Sequence, residues 1–206
     1  MPKSSYDKLM SSTGAPGGAG TVEWSTPQYL VDQWAEEFAP GGVFDLDPCA
    51  SPENYKADRW FGIADDSLNR DWCCTAAFMN PPYGKYLTPA WLAKAKSEVD
   101  LGHAGIVVCL VPARVGTRWY AAYEQDPSVL VRVLGRIRYD QSRRGESPFD
   151  HALVCFFSDP NEAKKHGSKS HWCAQCGRRF WPLRSDALCC SDKCRRAKSR
   201  AKKVAA

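Results

Sequence analysis

The chain has 206 residues, enough for one full domain plus an appendage of a few dozen residues and too few for two large domains. Hydrophobic residues make up 44% and charged residues 25%, which excludes a disordered or collagen-like chain. The net charge of +5 is unevenly placed: residues 161–206 hold 13 Lys/Arg against 3 Asp/Glu, leaving 15 against 20 before them, so the C-terminal segment alone is suited to meet a polyanion.

Residues 1–20 are rich in Ser, Gly, Pro and Ala and end in Gly14-Ala15-Pro16-Gly17-Gly18-Ala19-Gly20, which predicts a flexible arm. Pro27 suits a first helical turn. Tyr29, Leu30, Trp34 and Phe38 fall at helical spacing and predict an amphipathic helix over about 27–38, stopped by Pro40-Gly41-Gly42. Val43-Phe44-Asp45-Leu46-Asp47 reads as a short strand running into Pro48, and Ala77-Phe78-Met79 as a second strand running into Asn80. Trp91, Leu92, Ala95 and Val99 predict a helix ending before Gly102, and Ala104 to Val111 is a continuous apolar run of the kind that fills a strand buried on both faces. Val129 to Tyr139 and His151 to Phe157 add two more strands around a polar loop, Asp140 to Pro148. Strands alternating with helices predict an α/β fold with a mostly parallel sheet. The expected organisation is an arm over 1–20, a catalytic-sized domain over 21–158, a polar linker over 159–170, a cysteine-rich basic module over 171–200 and a basic tail over 201–206.

The longest strongly apolar run, 105–111, falls far below the roughly 20 residues needed to cross a bilayer. The N-terminus lacks the apolar core of a secretion signal, so the expected location is the cytoplasm. In a reducing compartment ten cysteines suit metal binding better than a disulfide scaffold.

Ligands of an open α/β sheet bind beyond the carboxyl ends of its strands, where Asn80-Pro81-Pro82-Tyr83 falls. Two prolines fix the loop and remove two backbone donors, leaving carbonyl acceptors. Asn80 adds a side-chain acceptor and Tyr83 an aromatic face, a set that matches a planar substrate with an exocyclic amine. The bland alternative is a rigid turn with a packed tyrosine.

At this loop the sequence resembles the phage-type DNA N6-adenine methyltransferases, which use S-adenosylmethionine. The resemblance covers roughly residues 22–157: Trp24-Ser25-Thr26-Pro27; Phe44-Asp45-Leu46-Asp47-Pro48-Cys49-Ala50 with Asn54; Asp65-Asp66-Ser67-Leu68; Trp72; Asn80-Pro81-Pro82-Tyr83-Gly84; Leu110-Val111-Pro112-Ala113-Arg114 with Thr117 and Trp119; Gly135-Arg136; and Pro148-Phe149. It implies a Rossmann-like methyltransferase fold and, as catalytic residues, Asn80, Pro81, Pro82 and Tyr83: the Asn80 side chain and the Pro81 carbonyl accept from the adenine amine while Tyr83 stacks on the flipped base. It also implies a cofactor site at Thr26, Pro27, Asp47, Pro48, Ala50 and Asp66. Between Asp47 and Phe61 there is no glycine, a departure from the glycine-rich cofactor loop of many methyltransferases. Asp45 alternates with Asp47 along one strand and reads as structural. The implied place of action is the cytoplasm of a bacterial host, and the implied partner is double-stranded DNA. An RNA or protein-glutamine substrate, or a DNA-binding protein without turnover, stays open on the sequence.

Cys173-x2-Cys176 and Cys190-x3-Cys194, separated by thirteen residues, suit tetrahedral zinc, because four thiolates in two close pairs staple a segment too short for its own core. Cys189 is an alternative to Cys190. The pattern resembles small zinc fingers of the treble-clef or ribbon kind and runs into a basic stretch beginning Arg195-Arg196 that is suited to phosphates. Arg114, after the buried strand, and Arg143 and Arg144, in the polar loop, are further candidates for DNA contact.

Overall fold

The computed structural model describes residues 25–139 and 147–167, and in the C-terminal part 171–172, 174–175, 179–180, 188–189 and 192–204. Helix α1, Gln28–Phe38, starts immediately after Pro27 and buries Val31, Trp34, Ala35 and Phe38, the spacing that lines one face of a helix. It ends before Pro40–Gly42, where Gly41 and Gly42 take φ of 76° and 73°, a backbone region closed to most side chains.

Strand β1, Cys74–Met79, leads through α2, Leu87–Asp100, to β2, Ala104–Pro112. Helix α3, Arg118–Gln125, connects to β3, Val129–Gly135, and then β4, His151–Phe157, completes a four-stranded sheet in the order β1-β2-β4-β3. β1 and β2 are parallel, whereas β4 is antiparallel to both of its neighbours. The sheet is therefore mixed, not mostly parallel as the alternation of elements predicts. β1, β2 and β3 point the same way, and β4 alone is reversed because it turns back from β3 and inserts between β3 and β2. Periodicity reports which residues are buried; it carries no information on strand direction.

The segment before β1 is reduced to single parallel bridges, Leu46 to Ala77 and Asp47 to Trp60. Asp45 is structural as expected in geometry: its carboxylate accepts from the Thr75 and Ala76 amides at 3.1 and 2.6 Å, tying this segment to β1. At Gly105 a side chain would meet the Thr75 carbonyl oxygen at 2.7 Å, so the close approach of β2 to β1 requires glycine there. Apolar clusters cover both faces of the sheet, one built on Trp34, Phe38, Phe78 and Leu153, the other on Trp91, Leu92, Met79 and Val107.

Residues 160–167, inside the stretch that reads as a polar linker, form a helix, α4, Pro160–Gly167. It buries Ala163 and His166, with His166 stacked on Phe157 at 5.5 Å. Only one narrow face of this short helix is buried, so its composition looks like that of a linker. The C-terminal part contains a two-stranded antiparallel pair, β5, His171–Trp172, and β6, Arg179–Phe180, and helix α5, Asp192–Val204.

Glu37 of α1 and Arg132 of β3, far apart in the chain, form a bidentate pair at 2.6 and 2.7 Å, and Arg132 also lies 4.9 Å over the Phe38 ring. Replacing Glu37 with alanine leaves a largely buried guanidinium without its main partner and is expected to cost about 3 kcal/mol, the lower end for broken buried pairs. Urea unfolding measures this, and a loss below about 0.5 kcal/mol, the range of ordinary surface changes, would contradict it.

Candidate active site

The site candidates converge at the carboxyl ends of the first bridge segment and β1. The Phe78 amide donates to the Leu46 carbonyl at 3.0 Å, so the turns that follow, 47–50 and 80–83, lie side by side. The Asn80 backbone N–H also faces the Cys49 sulfur.

Asn80 is held at both ends of its side chain. Its Nδ2 donates to Thr26 Oγ1 at 3.1 Å, and its Oδ1 accepts from the Tyr83 hydroxyl at 2.7 Å. Thr26 is almost wholly buried, at 1% exposure, and Pro81 is also buried, while Pro82 and Tyr83 are half-buried. The Tyr83 hydroxyl lies 3.2 Å from that of Tyr139, which lies 2.8 Å from His151 Nε2. Phe149 packs edge-on against the Tyr83 ring, 6.0 Å between centroids.

These groups are neutral near pH 7. Burial pushes the Tyr83 hydroxyl well above its usual range and the Tyr139 hydroxyl up to about 12, so both keep their protons. Burial lowers the His151 imidazole to about 4, against opposing effects of the Gly135 backbone and Asp150. Tyr139 and His151 are absent from the sequence-level site. A lone tyrosine and a lone histidine, twelve positions apart in different elements, carry no recognisable spacing.

Asp47 is 3% exposed. Its carboxylate accepts from the Cys49 amide at 3.2 Å and the Lys56 amide at 3.1 Å. Burial raises its pKa to about 7, and the two amides and the Lys56 charge only partly offset that. Pro48 is buried, and the Ala50 amide donates to the Phe61 carbonyl at 2.9 Å, which joins this turn to the segment carrying Asp65 and Asp66. Asp66 has a left-handed backbone, φ 48°, and accepts from the Asn69 side chain at 2.9 Å; Asp65 pairs instead with Arg70 at 3.1 Å. Of Thr26 and Pro27, placed with the cofactor by the resemblance, Thr26 contacts Asn80 and Pro27 sits at the start of α1.

Arg114 is exposed two residues beyond the end of β2, on the same side of the sheet as Asn80. Arg195 and Arg196 are exposed on α5, and Cys194 is half-buried in the same helix. Arg143, Arg144, Cys173, Cys176 and Cys190 lie outside the described residues. A cavity of about 360 Å³ at the β3 edge is lined by Tyr120, Asp126, Leu130 and Ala163 and includes none of the strand-end residues.

The family described as DNA N-6-adenine-methyltransferase (Dam) matches residues 19–166, well over half of the chain and the whole of the strand-end cluster. The chain belongs to this family. A relative from Haemophilus phage HP1 (strain HP1c1), named DNA N-6-adenine-methyltransferase, is 30% identical over 124 residues, covering 60% of this chain and 69% of its own. A second of the same name, from Escherichia phage T1, is 26% identical over 109 residues, covering 52% of this chain and 43% of its own. No solved structure matches the chain. No helix among the described residues is long and apolar enough to cross a membrane.

Proposed function

We propose that this Dam-family protein transfers a methyl group from S-adenosylmethionine to the N6 amine of adenine at specific sites in double-stranded DNA, using the Asn80–Tyr83 loop. Family membership carries the reaction class: the protein is an adenine-N6 DNA methyltransferase. The observation that supports the residue assignment is the pairing of Asn80, its amide anchored at both ends, with the buried Asp47 at adjacent strand ends.

The donor, when bound, supplies an electrophilic methyl on a cationic sulfur. Asp47 fits that group: a buried carboxyl whose ionisation is suppressed gains its charge when a cation docks beside it. Pro48 and Ala50 present backbone in the same turn, and Asp66 stands on the adjoining segment as the candidate for the adenosine end. Asn80 Oδ1 and the Pro81 carbonyl accept from the adenine amine, fixing the nitrogen for in-line displacement with no covalent enzyme intermediate. Tyr83 offers a ring face to the base, which leaves the duplex at a cost of a few kcal/mol that these contacts offset. A Rossmann-like reading of the sheet rests on β1, β2 and β3 pointing one way with helices between them.

The C-terminal part is read as a zinc finger that holds DNA. Four thiols, Cys173, Cys176, Cys194 and either Cys190 or Cys189, are a donor set suited to structural zinc, and α5 presents Arg195 and Arg196 to solvent. Because α4 packs on the sheet, the informative truncation falls after Gly167. That truncation is expected to weaken duplex binding at least tenfold and flatten its salt dependence while leaving cofactor affinity unchanged. Unchanged DNA binding would refute the assignment.

The deciding experiment incubates the full chain with unmethylated duplex DNA and donor carrying a labelled methyl, then digests to nucleosides for mass analysis. Label is expected in N6-methyladenine. Cofactor binding with no label in any nucleoside would overturn the reading.

A further inference from the structure

At the end of the sheet opposite the Asn80 loop, the turn before β1 meets the last turn of α2 and the start of β2. The Cys74 amide donates to the His103 carbonyl and the His103 amide to the Glu98 carbonyl, both at 2.8 Å. These bonds bring three side chains from separate segments together: one oxygen of Asp71, one of Glu98 and Nδ1 of His103 all lie within 4.8 Å of one another. The six residues of β1 separate this cluster from the strand-end site by about 20 Å.

Simple ion pairing does not account for the geometry. His103 Nδ1 stands 3.4 Å from Asp71 Oδ1 and 3.3 Å from Glu98 Oε2, yet this nitrogen is fully enclosed and hydrogen-bonds to neither. A protonated imidazole held by a carboxylate would aim its N–H at one oxygen, at about 2.7–2.9 Å. In a tetrahedral site with bonds of about 2.0–2.1 Å, neighbouring ligand atoms stand about 3.3 Å apart, which is the spacing on both sides of Nδ1. Glu98 is 1% exposed and fixed in place, its Oε2 accepting from the Trp72 amide at 2.7 Å and its Oε1 from the Lys94 ammonium at 2.5 Å. Each oxygen keeps a lone pair, and hydrogen bonds of this kind orient carboxylates that ligate metals. The Asp71 side chain is 67% exposed, so it can swing inward to close the third edge and leaves an ion a way in. Two carboxylates against one ammonium leave the cluster negative, which favours a dication.

We infer that Asp71, Glu98 and His103 form a three-ligand site for a divalent transition-metal ion of the zinc type, with water completing the shell. One imidazole and two carboxylates are a nitrogen and oxygen donor set that such an ion accepts. Its distance from the Asn80 loop gives it a structural role. The ion ties the turn at Asp71 to α2 and β2, and so fixes the start of the strand whose other end carries Asn80. The inference is independent of which substrate the strand-end site methylates.

The probe is Co2+, a stand-in for zinc, titrated into the metal-free full-length protein. Thiolate ligation adds an intense near-ultraviolet charge-transfer band, so ions taken by any of the ten cysteines are told apart from an ion held by nitrogen and oxygen alone. One Co2+ per chain is expected to bind with visible absorption and no thiolate band. Asp71→Asn and His103→Gln should each weaken that event by about tenfold or more and leave the thiolate-banded events as they are. Because Asp71 is exposed, its asparagine variant should melt with the parent when metal is absent, which separates a lost ligand from a lost fold. At about ten times the dissociation constant the ion should raise the parent's melting temperature about 3 °C more than that of Asp71→Asn. Cobalt bound only with a thiolate band, a nitrogen and oxygen event within threefold of the parent in either variant, or equal melting shifts in parent and Asp71→Asn would each overturn the inference.

Discussion

Replacing Asn80 with alanine is expected to reduce kcat by about a hundredfold or more while S-adenosylmethionine binds as before, since a misplaced reacting group alone can cost about 10²-fold. Asn80 is the one side chain of the loop whose oxygen can meet the substrate amine while its nitrogen is held elsewhere, by Thr26 at 3.1 Å. Alanine removes the acceptor and strips the Tyr83 hydroxyl of its shortest partner, at 2.7 Å. Because Asn80 is not itself a cofactor candidate, and of those candidates only Thr26 shares a hydrogen bond with its side chain, donor affinity should change little and the loss should fall on kcat. The check is a single-turnover methylation rate beside a calorimetric titration of the donor. A variant within threefold of the parent rate would remove Asn80 from the reaction.

Donor affinity is expected to weaken as pH falls through about 7. Asp47 is a carboxyl whose pKa burial lifts from 3.8 to about 7, so in the free protein it is anionic above that pH and mostly neutral below it. A cationic donor favours the anion, so where binding requires it, affinity falls by about tenfold for each pH unit below the pKa. Calorimetry from pH 5.5 to 8.5 measures the slope, and Asp47→Asn should flatten it while lowering affinity at pH 8. A slope that persists in the variant would assign the dependence to another group. Stability moves the opposite way. A carboxyl with a raised folded-state pKa holds its proton in the native state where the unfolded chain has lost it, so this group makes the free protein less stable as pH rises from about 4 to 7. Bound donor should reverse that trend by stabilising the native anion.

Both predictions depend on residues that the linear chain displays. Asn80-Pro81-Pro82-Tyr83 follows an apolar run, and Asp47-Pro48 follows another, so each could be placed at a strand end from local pattern alone. The burial of α2 was legible from its 3.6-residue repeat and that of β2 and β4 from unbroken apolar runs, whereas in α1 Trp34 and Phe38 are buried but Tyr29, at the same spacing, is 65% exposed. The polar exterior of α4 hid a helix that only its packing against β3 and β4 makes worthwhile.

The linear chain displays the inventory: an α/β core, a loop with acceptors and an aromatic ring, an acid at a strand end, a basic cysteine-rich end and, through the order of its motifs, a family. Folding alone sets who meets whom. The contacts of Asn80 with Thr26, of Tyr83 with Tyr139 and of Glu37 with Arg132 span 54, 56 and 95 positions. The insertion of β4 between β2 and β3 is what sets His151 opposite Pro112 and Gly135. Local periodicity fixes which face of an element is apolar, but strand order and direction follow from the joint burial of all the faces at once. The contacts around Asn80 exist only after that choice has been made.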